Sequence, residues 1–480
     1  MERYIVYFLI LPLAAAILMP FASKVHRYLA DMLAVIAGIG MSALAISYIP
    51  LAGQVLSYNF HGIHLTLDGL SLLFLVIIAT VGAACLLYST EYIGHLGGRA
   101  KFYALFLILL LGLNGVVLVR DLFSLYVYLE VASIASYVLV AYNLEYDGIE
   151  SALKYLLLSV VGTGMILVGL SLVYFNTGTF QFSELHTFLQ TPTSQGNVLF
   201  LLASALFVAG FGLKAAMMPF HAWLPDAHPS APAPVSAILS GVVIKVAGVY
   251  ALIRIFFGIF PPSAKMHNIF LVLGALSMVA GAVIAYYQDD IKRMLAYSSI
   301  SQIGYILLGL GIGTELAILG ALFHVFNHAV FKSLLFLNSG ALQFRMHTRD
   351  MNEMGGLEGR MRVTGITNAV GALSIAGIPP FNGFWSKLFI IMGAVQAKMF
   401  GVAFLAIVMS IFTLGYFLII QRKVFFGKLN VRWKDIKEVP AAMSLAMILL
   451  AAECLLVGLF FSPVVSGLIS PAVKSLLGGN

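Results

Sequence analysis

The sequence predicts an all-α polytopic membrane protein of about 14 transmembrane helices, with two inverted five-helix repeats and with helices 7 and 12 broken. Three observations lead there. First, of 480 residues 61% are hydrophobic and only 10% charged, where an ordinary soluble domain carries about 25% charged residues. Too few polar side chains remain to coat a water-soluble surface, which excludes a soluble enzyme, a nucleic-acid binder and a disordered chain. Second, apolar runs long enough to cross a bilayer core of about 30 Å follow one another with short loops between them. Third, two of these runs are interrupted by proline close to a lysine.

The runs lie at about 4–22, 29–51, 69–89, 102–119, 122–142, 151–175, 198–218, 235–258, 267–287, 293–313, 315–341, 363–395, 399–421 and 440–462. The first has no small-residue cleavage site and leads straight into further spans, so it reads as a retained helix rather than a signal peptide. Between runs two and three, residues 54–68 alternate apolar and polar around a glycine, the pattern of a short outer hairpin. Residues 219–234 hold five prolines and cannot form a continuous helix. These features divide the chain into N-terminal helices 1–3 with the hairpin (1–101), a first repeat of helices 4–8 (102–258), a second of helices 9–13 (259–422), and helix 14 with its tail (423–480).

Orientation follows from the 27 Lys and Arg residues. With the N-terminus outside, sixteen fall in inner loops and five in outer segments: Arg3, Arg120, Lys265, Lys398 and Lys474. The other six lie within spans. Such a bias is the expected signature of cytoplasmic loops, so the net charge of +7 is mainly a record of topology. The expected location is the inner or plasma membrane of the cell, multi-pass. Cys85 and Cys454 stand alone in apolar runs and indicate neither a disulfide framework nor a metal site.

A Lys or Asp at the centre of a spanning helix costs about 2.5–3.5 kcal/mol on insertion scales. This chain nevertheless places Glu130, Lys214, Lys245 and Lys387 within spans, and His324, His328 and Lys332 follow at successive i+4 spacings in one. Three such residues share a helix face and form a polar stripe about 12 Å long. Lys154 and Arg254, near span ends, read as snorkelling to the interface. Glu453, mid-span in the last run, fits no pattern. A buried amine has two accessible states, charged beside a carboxylate or neutral without one, so a line of Lys, His and Glu can hand protons along. A sodium cage would draw instead on carboxylates and carbonyls, which favours proton over sodium as the moved ion. Pro219 and Pro379-Pro380 break the seventh and twelfth runs. Interrupted helices at matching places are the pointer to an inverted-repeat transporter. Breaks five runs apart give repeats of five, and an odd length forces the inversion.

The segments KAAMMPFHAWLPDAHPSAPAPVSAILSG (214–241), HVFNHAVFKSLLFLNSGAL (324–342) and DIKRMLAYSSISQIGY (290–305) resemble the antiporter-like subunits shared by respiratory complex I, membrane-bound (group 4) hydrogenases and Mrp-type sodium/proton antiporters. The resemblance covers about residues 60–430, and FNHAVFKSLLFL looks most like the hydrogenase-associated members. It implies proton translocation within a multisubunit redox-driven membrane complex. Glu130 takes the place of the fifth-helix glutamate, Lys214 of its seventh-helix lysine partner, and Lys245 of the eighth-helix relay lysine. His324 and His328 take the eleventh-helix polar positions, and Lys387 the terminal group of helix 12; Lys332 joins the candidate relay through its place on the same i+4 stripe. The alternative is a subunit of an Mrp-type sodium/proton antiporter. Implied partners are the lipid bilayer, other membrane subunits (further antiporter-like ones included) and a peripheral redox arm. No cofactor is expected in this chain, which has no CxxC pair for an iron–sulfur cluster and no Gly-rich nucleotide loop after a strand; any redox catalysis is expected in the partners.

Overall fold

A computed structural model describes residues 1–95, 97–191, 197–260 and 263–478. Among them, twelve helices are long and apolar enough to cross a membrane. With three shorter ones they run in chain order as α1 (Glu2–Val25), α2 (Tyr28–Leu51), α3 (Gly69–Tyr92), α4 (Arg99–Leu118), α5 (Leu122–Val140), α6 (Tyr146–Thr177) and α7 (Val198–Lys214). Then come α8 (Ala233–Ile259), α9 (Ala264–Tyr286), α10 (Ile291–Ile312), α11 (Glu315–Met346), α12 (Arg362–Ala376), α13 (Asn382–Gln396), α14 (Phe400–Phe425) and α15 (Ala441–Leu459).

Among the described residues twelve of the fourteen predicted runs are single helices of spanning length, and the other two are those expected to be broken. The run at 198–218 stops as helix at Lys214, before Pro219, which has no N–H to continue the ladder. The run at 363–395 divides into α12 and α13 around Pro379-Pro380, with Gly377 (φ +83°) closing α12 in the left-handed conformation that glycine adopts freely. The hairpin is present: β1 (Leu56–Phe60) pairs antiparallel with β2 (Ile63–Leu67), and Gly62 (φ +91°) makes the turn.

Helices α3, α8, α10 and α11 are almost wholly enclosed, whereas α1, α2, α6, α9 and α14 carry one exposed apolar face, with Phe21, Ile36, Leu157, Val272 and Phe404 outward. In water such a surface would drive aggregation; in a bilayer it meets lipid. Small residues let buried helices approach closely. A Cβ on Gly304 of α10 would lie 2.4 Å from the backbone nitrogen of Met278 on α9. Several local features recur five predicted spans apart. Asp121 caps α5 through the Ser124 N–H (2.7 Å) and forms a bridge to Gln181. Asp290 caps α10 through the N–H groups of Lys292 and Arg293 and forms a bridge to Asp350. The helices that follow these caps, α6 and α11, are both 32 residues long.

Candidate functional site

The first group forms where α5, α6 and α7 meet. Lys214, the last residue of α7, is 3% exposed. Its Nζ lies 3.4 Å from Glu130 Oε1 and donates to Ser133 Oγ (3.0 Å) and Ser159 Oγ (2.5 Å). Thr163 donates to the same Glu130 oxygen at 2.7 Å, and Tyr137 donates to Ser159 Oγ. A cation at a helix C-terminus also meets the negative end of the helix dipole. Glu130 is the more open partner, its side chain 25% exposed at the protein surface.

The second group is fully shut in. Lys245, His324, His328 and Lys332 have no exposed surface, and Lys387 is 3% exposed. Lys245 lies in α8 among π-helical turns, a local widening that often accompanies functional sites, and its Nζ donates to the Ser240 carbonyl at 2.5 Å. Ser240 and Ser299 share a hydroxyl–hydroxyl hydrogen bond (2.7 Å), and the neighbouring Ser298 accepts from Lys332 Nζ. The predicted stripe on α11 exists: it faces α10, with His324 Nε2 3.1 Å from Gln302 Oε1 and its Nδ1 2.9 Å from Ser386 Oγ. The His324 and His328 rings stack 6.1 Å apart, and neither nitrogen of His328 has a partner among the described residues. Lys387, next to Ser386, donates to the Ile375 carbonyl (2.8 Å) and lies 4.6 Å above the Tyr305 ring. His328 is within electrostatic reach of Lys245, Lys332, His324 and Lys387.

The structure thus gathers five of the seven predicted residues in one enclosed cluster and sets Glu130 with Lys214 beside it. Backbone contact joins the two groups. Gly248, one turn after Lys245, presses on Ala215, the residue after Lys214; a Cβ there would lie 2.4 Å from the Ala215 backbone.

Two residues belong here that the sequence reading passed over. His228 is fully buried, stacked on Phe336 at 4.4 Å with both ring nitrogens unpartnered among the described residues. It sits in the short helix Leu224–Ser230, inside the stretch read only as a proline-rich connection. Lys292, counted as an inner-loop charge, is 1% exposed and donates to the Ala231 carbonyl at 2.9 Å. Arg254 is a correction. It does not snorkel: it turns inward to Asp68, 2.5 Å from Nη2 to Oδ1, because a buried carboxylate at the start of α3 offers a stronger partner than the interface. Lys154 does face outward, paired with Glu150 and Asp226. Glu453 is half-buried on α15 and has no hydrogen bond among the described residues.

Residues 119–413 match the family described as NADH:quinone oxidoreductase/Mrp antiporter, TM, and residues 58–103 match NADH-Ubiquinone oxidoreductase (complex I), chain 5 N-terminus. The chain is 34% identical to NADH-quinone oxidoreductase subunit N of Desulforudis audaxviator over 86% of this chain and 85% of that one. It is 35% identical to a Na(+)/H(+) antiporter subunit of Alkalihalophilus pseudofirmus over 87% of this chain and 55% of that one. With hydrogenase-4 component B of Escherichia coli the identity is 33%, over 84% and 63%. The chain therefore spans less than two thirds of these last two relatives, and the identities do not single out the hydrogenase-associated members. The fold is similar to a chain of the Mrp complex from Dietzia sp. (TM-score 0.90, 25% identity, 99% of this chain and 97% of that one). It is also similar to a chain of the membrane-bound sulfane sulfur reductase, an archaeal respiratory complex (TM-score 0.89, 27% identity, 98% and 97%). With an enclosed cluster of Lys and His beside a Glu–Lys pair, proline-broken spans and these relatives, the chain belongs to the NADH:quinone oxidoreductase/Mrp antiporter family of membrane subunits.

Proposed function

We propose that this chain is the proton-translocating antiporter-like subunit of a multisubunit redox-driven membrane complex, of the complex I or membrane-bound hydrogenase kind. The observation that carries the reading is the enclosed cluster of Lys245, His324, His328, Lys332 and Lys387, ionisable groups shut off from the surface, with serine hydroxyls on His324 and Lys332 and backbone carbonyls on Lys245 and Lys387. Burying such groups is expensive, and a packing role needs none of them to be titratable. In this reading protons enter from the inner side near Lys245 and the α11 stripe, are held on the central lysines, and leave outward past Lys387. Movement of Glu130 relative to Lys214, or a charge brought to the open side of Glu130 by a neighbouring protein, changes the hold of Lys214 on its proton. The matched caps, paired 32-residue helices and matched breaks support two inverted repeats, helices 4–8 (102–258) and 9–13 (259–422). The positive-inside bias supports an outer N-terminus in a cell membrane. Redox chemistry and its cofactors would reside in partner subunits, among them a peripheral arm.

The test is proton uptake by vesicles holding the whole complex that co-purifies with this chain, driven by its electron donor. Uptake without sodium, lost in Lys245→Met, is expected. A second reading, membership of an Mrp-type sodium/proton antiporter, is favoured by the similarity to the Mrp complex chain and to the Na(+)/H(+) antiporter relative of Alkalihalophilus pseudofirmus. Uptake that requires a sodium gradient and no electron donor would establish it instead.

A further inference from the structure

Outside the proton path, one buried site carries more positive than negative charge. Asp68, 2% exposed at the start of α3, receives two guanidiniums: Arg254 Nη2 on Oδ1 at 2.5 Å and Arg120 Nη2 on Oδ2 at 3.0 Å. Ser71 Oγ accepts from both arginines at 3.0 Å, and Arg254 Nε donates to Tyr250 OH at 2.9 Å. Arginine stays protonated in proteins, so one carboxylate answers two fixed cations. Asp121, the residue that follows Arg120, caps α5 through Ser124 and forms no ion pair with either arginine among the described residues. A buried charge without a partner is costly. Both arginines line a cavity of about 300 Å³ that also holds Gln181, Ser183 and His186, and His186 Nδ1 is buried with no hydrogen-bond partner among the described residues. The cavity opens where α3 starts and α4 and α8 end, the face where the topology reading leaves few cations.

Arg120 Nη1 also donates to the Val117 and Val119 carbonyls (3.3 and 3.0 Å), so the guanidinium donors without a hydrogen bond among the described residues are Arg254 Nη1 and Arg120 Nε. We propose that this cavity binds a phosphate-class anion, held by these two groups. Asp68 and Ser71 hold the two guanidiniums in fixed directions, so their remaining N–H groups are pre-organised for anion oxygens, and the bound anion supplies the missing negative charge. The phosphate group of an anionic lipid and free phosphate share this chemistry.

The experiment uses the whole purified chain in detergent, with phosphatidylglycerol, diacylglycerol of the same acyl chains and inorganic phosphate as probes, read by native mass spectrometry and titration calorimetry. Saturable binding of phosphatidylglycerol or of inorganic phosphate, but not of diacylglycerol, is expected. Arg120→Gln leaves the Asp68–Arg254 pair intact, removes the surplus charge, and should weaken binding at least about tenfold, whereas Arg120→Lys should weaken it less. Gly258→Leu is the second variant, because Gly258 lines the cavity with open space at its Cβ position. It should block binding without touching either ion pair. Binding of phosphatidylglycerol alone assigns a lipid site, and binding of inorganic phosphate assigns a free-anion site. No saturable binding of either probe, equal binding of diacylglycerol, or affinity unchanged in both Arg120→Gln and Gly258→Leu overturns the proposal.

Discussion

Lys387 Nζ donates to the Ile375 carbonyl at 2.8 Å, so a side chain on one half of a broken helix closes the end of the other half. Leu373 and Ser374 accept from the N–H groups of Gly377 and Ile378, but the last two carbonyls of α12, Ile375 and Ala376, face Pro379 and Pro380, which have no N–H, and accept from Lys387 instead. In the proposed relay the amine therefore has two tasks, satisfying backbone and holding a proton. In Lys387→Leu the end of α12 loses that donor, and the amide exchange of Ile378, Phe381 and Asn382 should rise at least about tenfold while that of α11 stays unchanged. Hydrogen exchange with mass spectrometry reads this directly. Unchanged exchange at the break would separate the lysine from its backbone task.

The contact of Gly248 with Ala215 ties the enclosed cluster to the end of α7. Gly248→Ala places a methyl group against backbone, which cannot move aside, and should cost about 1–3 kcal/mol. Gly258→Ala, on the same helix with nothing within 4 Å of its Cβ position, should be neutral or slightly stabilising. Thermal unfolding of the two variants in detergent gives the comparison. Equal melting temperatures would show that α8 slides freely past Ala215.

The Asp68 ion pairs set an acid limit on stability. Burial pushes the Asp68 carboxyl up, but Arg254 and then Arg120 outweigh burial and hold it well below the usual carboxylate range. A folded-state value below the unfolded one contributes stability that is present above about pH 4 and is lost as pH falls further. The wild-type unfolding temperature should therefore drop below about pH 4. Asp68→Asn should lose about 3–5 kcal/mol at neutral pH by stranding two guanidiniums, and should show a shallower acid drop. Unfolding followed by circular dichroism across pH measures both. A drop of equal steepness in the two proteins would remove Asp68 from the account.

Much of this was legible in one dimension. Proline within two turns of a buried lysine marked both breaks, because proline cannot donate to the helix ladder, whatever surrounds it. The His324, His328 and Lys332 stripe followed from helix period alone. Arg254 was misread because its partner, Asp68, lies 186 residues away; position near a span end says interface until the third dimension supplies a carboxylate. His228 was hidden by its company, five prolines that read as a loop, although a titratable ring among membrane residues was the available signal. Lys387 was visible as a buried cation, but its acceptors are backbone carbonyls, which every residue has and no sequence pattern reveals.

The most direct test of the central claim is proton uptake by vesicles holding the intact co-purified complex, comparing wild type with Glu130→Gln and Lys214→Met. The pair is joined at 3.4 Å, with Ser133, Ser159 and Thr163 in the same network. If Lys214 must exchange a proton under the control of Glu130, both variants should assemble and accept electrons yet pump at least about tenfold more slowly. Full uptake in both, with the complex assembled, would contradict the relay.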